Sequence, residues 1–115
     1  MSLTEYAGRD WSLYWSIEDA DGNVPEYFAD TTYCVSIQNA QTESGEAPDL
    51  YGVAEKTGEA GALYNAFSAE ATAALPEGNY LIYWQYLDSA GRKKTYATSN
   101  LRVFRAPEWK CAEGA

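Results

Sequence analysis

Apolar and polar residues alternate with a period of two along several short stretches of the chain. The clearest stretches run from Trp11 to Glu18 and from Thr31 to Gln38, and each places its apolar side chains on one side. This period is typical of strands that bury one face. Residues 3–6, 50–56 and 62–67 are weaker strand candidates, and turn-forming residues separate them. The alanine-rich stretch 68–75 predicts a single helical turn with Ser68 as its N-cap.

The last part of the chain carries the strongest hairpin signal. Tyr80 to Leu87 reads as a strand, Asp88 to Gly91 as a tight turn, and Lys93 to Arg105 as a long second strand. The chain therefore holds about seven strands at the spacing of all-β sandwiches, which predicts an immunoglobulin-like antiparallel β-sandwich. The predicted core comprises Trp11, Leu13, Trp15, Val35, Ile37, Ile82, Trp84 and Val103.

A tyrosine stands at the corner before the penultimate strand, in the sequence Leu75-Pro-Glu-Gly-Asn-Tyr80. In immunoglobulin-like sandwiches, a tyrosine at this corner sends its hydroxyl back to upstream backbone. We expect this structural role for Tyr80. Ile82 occupies the position where antibody domains carry a cysteine, so packing rather than a disulfide is expected to join the sheets.

Four turn motifs carry a resemblance to a known group of proteins. They are Gly8-Arg-Asp-Trp-Ser-Leu13, Glu18-Asp-Ala-Asp-Gly-Asn23, the corner ending at Tyr80, and Asp88-Ser-Ala-Gly91. On these motifs the chain resembles the small immunoglobulin-like domains of tailed-phage virion proteins, and is similar to the N-terminal domain of the baseplate upper protein family. The resemblance spans roughly residues 8–105 and implies a structural role in the virion.

Length and charge limit the partners. A chain of 115 residues predicts one domain, here residues 1–106, followed by a C-terminal tail over residues 107–115. Seventeen acids against eight bases give a net charge of −9, which repels phosphate backbones and anionic lipid. We therefore expect neither nucleic acid nor a membrane as partner. Five of the eight bases fall in the last hairpin, either as a solvated face or as a docking stripe: Arg92, Lys93, Lys94, Arg102 and Arg105.

The chain carries no catalytic signature. It has no histidine, which excludes Ser–His and Cys–His nucleophile pairs, and it lacks a phosphate-binding glycine loop. Two cysteines without histidine argue against a zinc site. Asp19, Asp21 and Asn23 have the spacing that opens a calcium loop, but Gly22 falls at position four and Asp30 at position twelve, so a strand-connecting turn is favoured. The prediction is a non-enzymatic protein without catalytic residues, cofactor or metal.

The sequence also bears on the compartment. No apolar run approaches the roughly 20 residues that span a bilayer, and the N-terminus lacks the basic start and apolar core of a signal peptide. We therefore expect synthesis in the reducing host cytoplasm, with Cys34 and Cys111 as free thiols.

The strand from Tyr80 to Leu87 is apolar on both faces, which predicts a covered surface. If Tyr80, Ile82, Trp84 and Tyr86 face the core, then Leu81, Tyr83 and Leu87 form an outward row that needs a cover. Either the loop over residues 39–61 or a partner protein supplies it. The predicted interface residues are Leu81, Tyr83, Leu87, Arg92, Lys93, Lys94 and Trp109.

Two functional classes follow from this surface and from the excess of aromatic residues. The first is an accessory or decoration protein on the capsid or tail of a phage, with other virion proteins as partners, a virion location and a possible homo-oligomer. The second is a carbohydrate-binding module that uses exposed aromatics. Trp109 in a polar tail favours assembly, because a lone aromatic there gains order only by inserting into a partner.

Overall fold

The computed structural model describes residues 2–42, 46–108 and 110, and within them it forms eight strands, one 3-10 helix at Glu26–Asp30 and one short α-helix. The strands alternate in burial as the sequence pattern predicts. Their bounds are β1 Ser2–Ala7, β2 Trp11–Ser16, β3 Thr32–Asn39, β4 Leu50–Val53, β5 Glu55–Lys56, β6 Ala62–Phe67, β7 Gly78–Leu87 and β8 Lys93–Arg105; the helix α1 spans Ala69–Thr72. Among these described residues, no helix is long and apolar enough to cross a membrane.

The strands form the two sheets of a β-sandwich, which confirms the predicted all-β fold. One sheet has the order β1-β8-β7-β3-β4, and the other has the order β2-β6-β5. One edge departs from the predicted antiparallel pairing, because β1 pairs with β8 in parallel. The reason is that the chain turns at Gly8, with a φ of 84°, and enters the other sheet as β2. Strand β1 is thus left beside the last strand, which runs in the same direction.

The segment predicted as one strand over residues 50–56 is divided between the sheets. Strand β4 pairs with β3 and β5 pairs with β6. Between them, the amide of Ala54 donates to the carbonyl of Tyr33 at 2.8 Å. The sheets come close here. A Cβ added to Gly52 would lie only 3.3 Å from the Phe67 ring.

The core lies between the sheets and contains the eight predicted residues. Seven of them are buried; Trp15 is half-buried and packs against both clusters of the core. The Trp15 ring lies 5.0 Å from the Trp84 ring, and its indole N–H donates to Asn65 Oδ1 at 2.8 Å. The amide of the buried Asn65 side chain donates in turn to the Gly52 carbonyl at 3.1 Å, so this polar link joins the sheets within the core.

The corner tyrosine and the helical turn both occur as predicted. The Tyr80 hydroxyl donates to the Pro76 carbonyl at 2.6 Å, and its ring is buried. Ser68 Oγ accepts the amide of Ala71 as the N-cap of α1. Thr72 at the end of α1 donates to the Arg9 carbonyl at 2.8 Å, which ties the helix to the turn between β1 and β2.

Candidate protein interface

The outer face of the five-stranded sheet carries the apolar row predicted from the sequence. Tyr80, Ile82 and Trp84 of β7 are buried, so the alternate residues point away from the core. Leu81 and Tyr83 are half-buried on this face, and Leu87 is 41% exposed. Tyr86 lies on the core side, where its ring packs 6.0 Å from Tyr33. The strand thus has two apolar faces, and only one of them belongs to the core.

The described part of the loop between β3 and β4 covers one end of this row. Gln38 pairs with Leu81 across the sheet and is buried on the outer side, where its amide donates to the Glu46 carbonyl at 3.1 Å. The other end is open, because Leu87 lies beside Thr32, an exposed residue. The sequence did not decide whether this loop or a partner covers the row. The structure shows that the loop covers it at Leu81 but not at Leu87.

Two exposed apolar side chains that the sequence analysis did not single out extend the same face. Tyr51 and Val53 of β4 pair with Ser36 and Cys34 of β3, and they are 74% and 69% exposed. Opposite residues in an antiparallel pair share a face, so both lie on the outer side with Leu87. The alternation of Tyr51 and Val53 about Gly52 was the available signal, but only the sheet order shows which surface it joins.

A shallow depression of about 370 Å³ lies at the open end of the face, between the described strands β3, β4, β7 and β8. Its lining comprises Thr32, Cys34, Val53, Gln85, Tyr86, Leu87, Lys93, Lys94 and Thr95. Burial raises the pKa of the Cys34 thiol above its usual value, so the thiol stays protonated at neutral pH. Cys34 is free; Cys111 lies outside the described residues.

The basic residues of the hairpin are not a single stripe. Lys93 pairs with Leu87 and shares the outer face, whereas Lys94 pairs with Tyr86 on the opposite side. This separation follows from the period of two along β8. Trp109, the remaining predicted interface residue, lies outside the described residues.

Arg92 is engaged within its own turn. Its Nε lies 3.1 Å from Asp88 Oδ2, and its backbone amide donates to Asp88 Oδ1 at 2.8 Å. The backbone hydrogen bond from Arg92, together with its nearby charge, lowers the pKa of Asp88 below its usual value. The charge of Arg92 is thus partly neutralised, which leaves Lys93 as the predicted basic residue that faces outward beside the apolar row.

The turn that begins at Asp19 is closed by its own carboxylate. Asp19 Oδ1 accepts the backbone amides of Asp21 and Asn23, so this carboxylate closes the strand-connecting turn that the sequence favoured over a calcium loop. Over residues 2–42, 46–108 and 110, no three acidic, cysteine or histidine side chains cluster as a metal site would require.

One exposed tyrosine, Tyr14, pairs with the half-buried Tyr64 on the opposite side of the sandwich. The rings of Tyr14 and Tyr64 lie 4.7 Å apart with an interplanar angle of 32°, on the outer face of the three-stranded sheet. Tyr14 is 74% exposed. The tryptophans do not contribute to such a platform in the described residues: Trp11 and Trp84 are buried, and Trp15 lies between the two core clusters.

No protein-family model and no curated protein sequence matches this chain. Among solved structures, the chain is similar to CopC from Methylosinus trichosporium OB3b, with 18% identity and a TM-score of 0.39. The alignment covers 67% of this chain and 66% of CopC, slightly less than two thirds of the length of CopC. A similarity of this size carries no argument about the function of this chain.

Proposed function

We propose that this chain is a non-enzymatic interaction domain that binds another protein through the outer face of its five-stranded sheet. The observation that carries the proposal is the open apolar surface formed by Tyr51, Val53, Tyr83 and Leu87 around the depression on that face. Contiguous exposed apolar surface marks interaction sites, and tyrosine is enriched in protein interfaces.

Lys93 places a positive charge at the edge of this surface. It pairs with Leu87 at the rim of the depression, while the chain as a whole carries a net charge of −9. Charges at the rim of an interface govern the choice of partner and the rate of association more than the affinity. We therefore propose a partner that presents apolar side chains with an acidic group beside them.

The context that we propose is the virion of a tailed phage, where the domain serves as an accessory or decoration component of the capsid or tail. The support is the set of turn motifs at Gly8–Leu13, Glu18–Asn23, Leu75–Tyr80 and Asp88–Gly91. An assembly role suits a domain whose sheet face is apolar on its outer side. The partner is then another virion protein, or a second copy of this chain that occupies the same face.

The test is the amount of protein retained in purified particles after the open end of the face is made polar. The double variant Val53→Ser and Leu87→Ser changes two exposed positions and should fold normally. We expect it to be depleted from particles relative to wild type. The control is Tyr14→Ser, which removes a side chain that is 74% exposed on the other sheet and should be retained. Equal retention of the double variant and wild type would contradict the proposal. A dimer that wild type forms and the double variant does not, measured by sedimentation velocity, would identify self-association as the role of the face.

A second candidate function is carbohydrate binding at the Tyr14–Tyr64 pair. Paired aromatic rings on an exposed sheet face offer a surface on which a sugar ring can stack. The candidate ranks second because the patch consists of two tyrosines, whereas the outer face of the five-stranded sheet exposes Tyr51, Val53 and Leu87 beside a depression. If Tyr14→Ala abolishes retardation of the protein in gels that contain soluble polysaccharide, this candidate replaces the first.

A further inference from the structure

The sandwich is open along one side, between the edge of β2 and the edge formed by β1 and β8. A groove of about 660 Å³ lies there, on the side of the core away from the outer face proposed above. Its lining comprises Leu3, Glu5, Ser12, Leu13, Tyr14, Trp15, Ser16, Trp84, Tyr96, Ala97, Thr98 and Ser99. Because the two sheets share no strand on this side, core side chains form the floor of the groove.

One wall of the groove is the edge of β2, which pairs with no second strand among the described residues; just beyond the strand, the Tyr96 hydroxyl accepts the backbone amide of Glu18 at 3.4 Å. Strand β2 pairs only with β6, and the amide of Ile17 donates to the Gly61 carbonyl at 2.9 Å. In an antiparallel ladder, alternate residues direct both backbone groups to the same neighbour. Residues 11, 13, 15 and 17 therefore face β6, while Ser12, Tyr14 and Ser16 direct their N–H and C=O groups towards the open side.

The opposite wall contributes an acid, Glu5 of β1. Glu5 of β1 pairs with the buried Val103, so its side chain points inward with Leu3. Burial raises the pKa of Glu5 above its usual value. Within the described residues, the Glu5 carboxylate has no hydrogen bond or ion pair. An acid that is partly removed from water gains from a cationic partner in the groove.

We propose that this groove binds an extended segment of a partner protein, which adds a strand to the edge of β2. The segment carries apolar side chains at alternate positions for the floor of the groove and a lysine or arginine for Glu5. Added strands of this kind gain affinity from main-chain hydrogen bonds and specificity from alternate side chains. At about 3.4 Å per residue, the six residues of β2 accommodate a segment of similar length.

The unpaired charge favours such a segment over a second copy of this chain. In a dimer through this edge, each β2 would meet the other β2, and the sequence of that strand, Trp-Ser-Leu-Tyr-Trp-Ser, carries no basic side chain. Glu5 would then remain without a counter-charge in a surface that loses water. A segment with a basic residue supplies both the strand and the charge.

The test uses a blocked synthetic peptide, Val-Thr-Val-Thr-Lys-Thr-Val, titrated into the full chain. We expect the largest amide chemical-shift changes at Ser12, Tyr14 and Ser16, with a change in tryptophan fluorescence from the floor of the groove. The control peptide carries Glu in place of Lys and should bind at least about tenfold more weakly, because it loses a charged hydrogen bond. Glu5→Gln should remove the preference between the two peptides.

A second variant isolates the strand edge. Tyr14→Pro removes an N–H that faces the open side, a position at which edge strands tolerate proline, and it should abolish peptide binding. Tyr14→Thr also removes the tyrosine side chain but retains the N–H, so it should bind the peptide more tightly than Tyr14→Pro does. If Tyr14→Pro does not fold, the loss of lysine preference in Glu5→Gln still decides the proposal.

Either of two results would contradict this proposal, and a third would change the partner. No shift of the β2 amides at millimolar peptide, or an unchanged preference in Glu5→Gln, overturns the proposal. A concentration-dependent dimer that Tyr14→Pro dissociates would replace the peptide segment with a second copy. The variants of Val53 and Leu87 should leave peptide binding unchanged, so failure of this site is distinguishable from failure of the proposed function.

Discussion

The two sides of the sandwich differ in how the chain joins its sheets. On the β4–β5 side, the chain passes from one sheet to the other through Ala54, and Asn65 links Gly52 to Trp15. On the β1–β2 side, the crossing occurs at the end of the strands, around Gly8, and the outer edge of β2 pairs with none of the described strands. A continuous crossing closes one side, whereas a crossing at the strand end leaves a groove along the other.

The polar groups of the two sides differ in the same way. Asn65 on the closed side is buried, and both ends of its side-chain amide have partners. Glu5 on the open side points inward without one among the described residues. An inward-pointing charge at an edge is a feature that discourages non-specific strand pairing. The polar group of the closed side is therefore satisfied inside the core, whereas that of the open side is left for a partner only if the groove binds one, as proposed above.

The largest expected effect comes from Trp84, a buried tryptophan in the core between the two sheets. Trp84 packs against Trp15 and its indole N–H donates to the buried Ser99 at 2.8 Å. Trp84→Ala should lower the free energy of unfolding by about 3–5 kcal/mol, because a large core side chain is lost and a cavity remains. Urea unfolding of Trp84→Ala beside Tyr51→Ala checks this, since Tyr51 is 74% exposed and its loss should be nearly neutral. Similar midpoints for the two variants would contradict the placement of Trp84 in the core.

An intermediate effect is expected at the polar link between the sheets, which joins Gly52 on the closed side to Trp15 in the groove. Asn65→Ala leaves the Trp15 indole N–H and the Gly52 carbonyl without their partner, which should cost about 2–3 kcal/mol. Asn65→Asp keeps the acceptor for Trp15 but loses the donor to Gly52. Hydrogen exchange should therefore rise around β4 and β6 in both variants and stay unchanged at β1. Faster exchange at β1 would mean that the two sides are not independent.

Local features of the fold could be predicted from the sequence. Strand β8 has the predicted bounds, Lys93–Arg105, because a turn at Gly91 precedes it and Pro107 follows it. The contact of Tyr80 with Pro76 could also be predicted, since both partners lie within one corner. In each case the interacting groups are close in the chain, so the pattern of residues contains the information.

Features that depend on distant pairings could not be predicted. The parallel pairing that sets Ser2 opposite Asn100 and the division of the chain at Ala54 both depend on which strands meet. For the same reason, the row of Leu81, Tyr83 and Leu87 was predicted, but its extension by Tyr51 and Val53 was not. The groove along β2 exists only because β1 lies in the other sheet, and no periodicity indicates this.

The smallest expected effect lies on the open side and depends on pH. Because burial raises the pKa of Glu5 in the folded chain, the folded state binds more protons than the unfolded state once the pH exceeds the ordinary glutamate value of 4.5. The free energy of unfolding therefore falls as the pH rises from that value through the raised pKa of the folded state. In Glu5→Gln this dependence disappears, so the variant should be more stable than wild type at pH 7 and equal to it in acid below pH 4.5. Denaturant unfolding across this range measures the difference, with Glu77→Gln as a control at an exposed position. A wild-type chain that gains stability relative to Glu5→Gln as the pH rises would mean that the Glu5 carboxylate already has a cationic partner within the chain, and the groove would then have no charge to offer a segment from outside.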